Sequence, residues 1–250
     1  LNLQRAYQVM DEENLDALIV TRPINFYHFT GYYDHMAVRM DSPSSFAILS
    51  RDEKRPSSVV MNQFIYYYSV ADSNFKWDST LNLFTGWGDK IATAESRDQT
   101  EAHREVLAPF VFSSKNALLD RDFEKARTNA LNMALDGNPP SGNANSALIR
   151  AMEHLGLTDS RIGVDDPVID RIIKSANLKS TAIDGDYALR RIRMVKSQQE
   201  IELMKIAATT NAEAALAAAS ALRSGATLNE LRATFFAQCA LRGNMPLFLQ

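Results

Sequence analysis

The sequence holds a single cysteine, Cys239, in 250 residues. A lone thiol excludes an internal disulfide and any multi-cysteine zinc centre, and it fits a reducing compartment such as the cytoplasm. Glycine is scarce, 10 residues in all, against about 7% in an average protein. No G-x-G-x-x-G follows the first apolar strand, which argues against a dinucleotide site. The four histidines, His28, His35, His103 and His154, stand too far apart to form an H-E-x-x-H pair. A Walker A loop and a G-x-S-x-G elbow are also missing. Neither sign of charge dominates: 27 basic against 30 acidic side chains leave a net −3. Nucleic acid and anionic membranes are therefore not expected as partners. No apolar run approaches the ~20 residues of a membrane span, and no basic-then-apolar leader argues for export.

What is present is ordinary globular composition, 46% hydrophobic and 23% charged, long enough for one or two domains with a full core. Leu3, Ala6, Tyr7 and Met10 carry helical spacing over residues 3–13. Residues 15–20 read as a buried parallel strand, and Ile24 to Phe29 as a short helix ending at Gly31. Strand-like runs recur at 45–49, 58–61, 81–84, 117–119 and 161–164. Helical stretches lie at 63–71, around 100–109, and at 122–135, 145–155 and 166–176. Strand alternating with helix predicts an α/β sheet with covering helices. Residues 181–184 read as the exit from this region. From Gly185 the pattern is helix almost throughout, with capping boxes at Ser197–Glu200 and Thr227–Glu230. The first of these opens a helix predicted to run to Arg223, with apolar positions Ile201, Met204, Ala208, Ala212, Ala215, Ala219 and Leu222. Two textures thus meet near residue 184.

Few groups point to chemistry. Asp165-Asp166 and Asp120/Asp122 bind a metal only where further oxygen or nitrogen ligands converge, and Asp166, before Pro167, reads as a helix cap. Phe64 to Tyr68 is aromatic enough for a base-stacking platform. Without neighbouring Lys or Arg, it reads instead as a half-buried helix or a subunit contact. Arg190, Arg191, Arg193 and Lys196 either bind an anion or complement a helix C-terminus, and the second reading is preferred. Cys239 reads as core. By these motifs the chain has no self-contained active site.

Two segments resemble a known family. One is Leu15-Asp16-Ala17-Leu18-Ile19-Val20-Thr21 followed by Asn25-Phe26-Tyr27-His28-Phe29-Thr30-Gly31. The other is Arg190-Arg191-Ile192-Arg193-Met194-Val195-Lys196-Ser197-Gln198-Gln199-Glu200-Ile201, and after it come an alanine-rich helix, Gly225, Thr227, Glu230 and Leu231. Both resemble the creatinase/prolidase family, as does Arg161-Ile162-Gly163-Val164-Asp165. The resemblance implies a ribonuclease-H-like mixed sheet with covering helices over residues 1–184. It implies the first helices of an α+β pita-bread catalytic domain over 185–250. It further implies an Xaa-Pro aminopeptidase or dipeptidase as the parent, working as a cytoplasmic homodimer on small peptides with two divalent metal ions (Mn, Co or Zn). The start at Leu1 and the apolar run before Gln250 lead to the expectation of a piece of a longer protein, with none of the metal ligands in this segment. Arg39, with His35, is then the expected contact to a substrate carboxylate across the dimer, by the bidentate fork of its guanidinium. The alternative is a surface Arg39 paired with Asp34 or Asp41. Two other parents fit the same segments: a creatinase-like C–N amidinohydrolase, and a non-catalytic pita-bread binding module.

Overall fold

The computed structural model describes residues 1–34, 45–55, 57–71, 79–85 and 121–245. The predicted elements around 100–109 and 117–119, like His35 and Arg39, lie outside them. The chain divides into two compact units, Leu1–Val195 and Lys196–Gln250.

In the first unit, helix α1 (Leu3–Glu12) leads to strand β1 (Ala17–Val20) and helix α2 (Pro23–Thr30), then strands β2 (Phe46–Ser50) and β3 (Ser57–Asn62). Helix α3 (Gln63–Ser69), strand β4 (Ser79–Phe84) and helices α4 (Arg121–Leu135) and α5 (Ala144–His154) follow. Strand β5 (Arg161–Val164), helix α6 (Pro167–Ser175), strand β6 (Thr181–Asp184) and helix α7 (Asp186–Met194) complete it. The described strands form one mixed sheet in the order β4-β3-β2-β1-β5-β6. β1 pairs parallel with β5, β5 with β6 and β3 with β4, whereas β2 runs antiparallel to both β1 and β3. The α/β class with a mixed sheet is as the sequence predicted. β1 is buried as expected, but it is parallel on one side only, because β2 enters between β1 and β3 against their direction.

The strand period of two divides the core between the faces. Ala17 and Ile19 of β1 point to one side, with Ile48, Val60, Ile162 and Val164, under α5 and α6. Leu18 and Val20 point to the other, with Ala47, Leu49 and Val59, under α1, α2 and α7. Farther along that second face, Met61 and Leu83 pack with α3 and α4. Local chemistry sets the helix ends. Asn2, Asn62, Asn143 and Asp166 each accept an amide N–H of their helix's first turn, and Pro23 and Pro167 fit first-turn positions that donate no hydrogen bond. Gly31 ends α2 at φ 73°, a left-handed cap that a β-carbon disfavours.

Two boundaries differ from the prediction. Residues 181–184 do not leave the sheet but form its edge strand, in register from Arg161↔Thr181 to Val164↔Asp184. An edge strand has one neighbour, and only Ala182 and Ile183 are partly buried here, so the run lacks the apolar density of β1. The first unit also continues past residue 184, because α7 buries Ala188, Leu189 and Ile192 against the second face of the sheet.

The second unit is a helical hairpin of α8 (Gln198–Ser220) and α9 (Leu228–Leu241), each opened by its predicted capping box. Ala214, Ala218, Phe235, Cys239 and Leu231 form its small core. Arg242 reaches back to Glu213 at 2.9 Å and Asn244 to Thr210 at 3.1 Å, so the helices run antiparallel. The face used is not the predicted stripe: Thr210, Ala214 and Ala218 are buried, one turn apart, while Ile201, Met204 and Leu222 are exposed. α8 also stops at Ser220, short of Arg223.

Candidate functional site

Five of the six described strands run one way, so their carboxyl ends share one edge, where open α/β sheets typically hold their sites. Buried polar groups gather there: Thr21 and Asn25 after β1, Ser45 before the reversed β2, Gln63 after β3, Thr85 after β4 and Asp165 after β5. The Thr21 hydroxyl donates to the Ser45 carbonyl at 2.8 Å, and the Ser45 hydroxyl donates to the Asp34 carboxylate at 2.6 Å. Asp34 and Ser45 thus meet at this edge; the residues between them in sequence lie outside the described ones.

Asp165 is the centre of the edge. Its carboxylate accepts the Thr21 amide at 2.9 Å, the Arg22 amide at 3.0 Å and the Asn25 side-chain amide at 2.8 Å. Burial pushes the carboxyl above the ordinary aspartate range, against the hold of Asn25, Thr21 and Arg22. Beyond it, the Asn25 side-chain oxygen accepts from the Arg193 guanidinium. Sequence reasoning missed this node. Its signal was present, since Asn25, Asp165 and Arg193 each sit in one of the three segments that carry the family resemblance.

The other candidates resolve into structural roles. Asp166 caps α6, accepting from the Val168 amide at 2.9 Å, so the adjacent acids 165 and 166 face different partners. Asp122 is exposed on α4 and pairs with Lys125 at 3.3 Å. Ile65, Tyr66 and Tyr67 of the aromatic run are buried. The Tyr68 ring lies 4.6 Å from that of Phe64, tilted by 52°, and the Arg127 guanidinium lies over Tyr67 and Tyr68, so these rings pack internally. In the basic cluster, Arg190 pairs with Asp186 at 2.6 Å, Arg191 bridges Glu12 and Glu13, and Arg193 holds Asn25. Three of the four cations are thus committed to partners within the protein. Cys239 is core, as predicted.

A groove of about 380 Å³ opens at the opposite, amino edge, lined by Lys54, Arg55, Ser58, Thr80, Asn82 and His154 among others. Arg55 spans it to reach the Leu155 carbonyl at the end of α5 and pairs with Asp52 at 3.1 Å. That guanidinium is committed to the protein, and the groove brings no buried charge to bear, so the carboxyl edge is the stronger candidate. Among the described residues, no three His, Cys, Asp or Glu side chains converge as a metal centre requires. The two metals implied by the resemblance therefore have no fit among them. No helix of the described residues is long and apolar enough to cross a membrane.

Residues 2–101 match the family model described as the creatinase/prolidase N-terminal domain. Over those residues the chain is similar to creatinase/prolidase N-terminal domains. No curated protein matches the sequence. Among solved structures, the fold is similar to that of the prolidase from Pyrococcus furiosus, at 14% identity and TM-score 0.51, over 96% of this chain and 53% of that one. It is similar to a dipeptidase from Pyrococcus horikoshii OT3, at 14% identity and TM-score 0.52, over 96% and 50% of the two chains. It is also similar to the Xaa-Pro dipeptidase from Bacillus anthracis, at 11% identity and TM-score 0.51, over 94% and 47%. These identities establish shared fold. The chain spans about half the length of each structure.

Proposed function

We propose that this chain is the N-terminal part of a metal-dependent Xaa-Pro aminopeptidase or dipeptidase, acting in the cytoplasm as a homodimer. The first unit, Leu1–Val195, supplies the dimer contact and covers the partner subunit's active site, and Lys196–Gln250 begin the pita-bread catalytic domain. The observation that carries this reading is the creatinase/prolidase N-terminal match over residues 2–101. The two divalent metals belong to the parent protein; the reading gives no metal and no catalytic residue to the described residues. Its contribution to substrate choice lies in residues 35–44. There Arg39, with His35, meets the carboxylate of a short peptide bound in the neighbouring subunit. A guanidinium suits the task because two parallel N–H groups match two carboxylate oxygens.

Arg39→Ala in the full-length dimer tests it on Xaa-Pro dipeptides, alongside metal analysis. A lost charge-assisted pair of about 1.5–3 kcal/mol raises KM or lowers kcat/KM by tenfold or more, with metal content unchanged. Unchanged kinetics across several substrates would remove Arg39 from the reading. An active hydrolase without metal would remove the peptidase itself in favour of a creatinase-like enzyme.

A further inference from the structure

We propose that the Asp136–Gly137 peptide isomerises spontaneously to an isoaspartyl linkage, and that this modification loosens the loop sealing the edge of β4. The reaction belongs to aspartate followed by glycine, because glycine has no side chain to obstruct the approach of its amide nitrogen. That nitrogen attacks the Asp136 Cγ and forms an N–Cγ bond, while the carboxyl hydroxyl leaves with the amide proton as water. A water molecule then opens the succinimide. Breaking the new N–Cγ bond restores aspartate. Breaking the original bond to the Asp136 carbonyl carbon instead leaves the main chain running through the side-chain carbon. Water is lost and regained, so mass is unchanged and nothing is oxidised or reduced.

The sequence holds two Asp-Gly pairs, Asp136-Gly137 and Asp184-Gly185, and the fold treats them differently. Asp136 and Gly137 are both exposed and follow the end of α4. Among the described residues, neither the Asp136 carboxylate nor the Gly137 amide has a hydrogen-bond partner. Gly137 stands at φ 67°, and a β-carbon placed on it would meet nothing within 4 Å, so the ring has room to close. Asp184, by contrast, is held in the ladder opposite Val164, and its carboxylate accepts the Asp186 amide at 2.9 Å. The Gly185 amide, which would be the nucleophile, donates to the Val164 carbonyl at 2.8 Å. Gly185 is also buried against the β5 backbone. Ring closure there must first break that bond and lift the start of α7 off the sheet.

The residues after Gly137 carry the consequence. The Asn138 side-chain amide donates to the Leu81 carbonyl of β4, and its side-chain oxygen accepts from Arg150. The Arg150 guanidinium also donates to the Pro139 carbonyl. Ser141 then joins the sheet beside Phe84. Its amide donates to the Leu83 carbonyl at 2.8 Å, and its carbonyl accepts the Thr85 amide at 3.0 Å. Pro139 and Pro140 stiffen the interval, since each fixes its own φ. An isoaspartyl linkage adds a main-chain carbon just before this set of contacts. With α4 packed behind through Leu131 and Leu135, the added length is taken up in the loop.

Ageing the full-length protein at neutral pH tests both steps, with isoaspartate mapped by peptide mass spectrometry and by an isoaspartyl methyltransferase supplied with S-adenosylmethionine. Asp136 should isomerise at least about tenfold faster than Asp184, the factor set by one backbone hydrogen bond that only the second site must break. In the urea-unfolded chain the two rates should converge. The normal and isoaspartyl forms of the peptide spanning residues 136–143 separate by retention, so hydrogen exchange reports the Ser141 amide in each. Its protection should fall about tenfold in the isoaspartyl form. Asp136→Glu, which must close a larger ring and does so far more slowly, should stay unmodified and keep its Ser141 protection on ageing. Equal rates at the two sites in the folded protein, or a ratio that persists in urea, overturns the modification site. Equal Ser141 protection in the two forms, or its loss on ageing in Asp136→Glu, overturns the loosening of the loop.

Discussion

Gly185→Ala tests how tightly α7 is seated on the sheet. Gly185 stands between β6 and α7 at φ −94° and ψ −1°, a conformation open to any residue, so backbone freedom does not explain it. Space does. A β-carbon there would lie 2.9 Å from the Val164 nitrogen, 3.0 Å from the Gly163 carbonyl carbon and 3.1 Å from the Val164 oxygen. All three are backbone atoms of β5, which is fixed between β1 and β6, and the Gly185 amide itself donates to the Val164 carbonyl at 2.8 Å. The start of α7 must therefore move away from the sheet. Overpacking costs roughly 1–3 kcal/mol, and the upper end applies because no flexible side chain can yield. Alanine returns about 0.4–1 kcal/mol by restricting the unfolded chain, which leaves a net loss of about 2 kcal/mol. All 8 tyrosines and both tryptophans fall within Leu1–Val195, so intrinsic fluorescence reports this unit without the helical hairpin. With a urea slope of roughly 2 kcal/mol/M, the midpoint should drop by about 1 M. Gly163→Ala is the comparison: its β-carbon would meet Leu18 Cδ2 at 2.8 Å and Leu15 Cδ1 at 3.1 Å, side chains that can shift, at about half the loss. An unchanged or raised midpoint for Gly185→Ala would refute the close-approach reasoning.

Two further outcomes concern the hairpin. The Glu230 carboxylate accepts the Thr227 amide at 2.7 Å and Arg223 at 2.9 Å, which hold it below the ordinary glutamate range. A depressed acid stabilises the folded form above its unfolded pKa and loses that contribution as pH falls through its folded one. Protection of the first-turn amides of α9 should therefore fall on acidification below about pH 4 and become flat in Glu230→Gln; a flat profile in the native protein contradicts this. Leu203, Met204, Ile206 and Leu216 on α8 are all more than half exposed, and replacing them with serine should reduce binding of a hydrophobic dye while changing stability by less than ~0.5 kcal/mol each. Dye binding equal to that of the native chain would show that the face is not what the dye detects.

Much of the fold was legible because its signals are local. The capping boxes at Ser197 and Thr227 need four consecutive residues, and both open helices where expected. Gly31 and Pro167 mark ends that any neighbour would leave unchanged. Signals that depend on partners failed. β6 is a strand because Arg161–Val164 lies beside it, and its own four residues carry little apolar weight. The stripe read along α8 gathers more large apolar side chains than the face actually used, yet Thr210, Ala214 and Ala218 are small enough for α9 to approach. Size, rather than hydrophobicity, selects the contact when two helices pack closely.

The carboxyl edge follows the same logic at longer range. Asn25 and Arg193 are 168 positions apart, and Asn25 and Asp165 are 140 apart, so no window of sequence contains the node. Each residue has a plausible local duty: Asn25 in the first turn of a short helix, Asp165 beside a helix cap, Arg193 near a helix C-terminus. Local duty explains a polar residue but not one buried to 2 or 3%, where an unpaired group costs more than its cap or dipole contribution returns. Burial therefore demands complementary partners, and Asn25 alone among the three can face an acceptor and a donor at once. That requirement explains why an asparagine follows β1, an aspartate ends β5 and an arginine closes α7. The three segments that resemble the creatinase/prolidase family thus meet at one structural joint, through Asn25, Asp165 and Arg193.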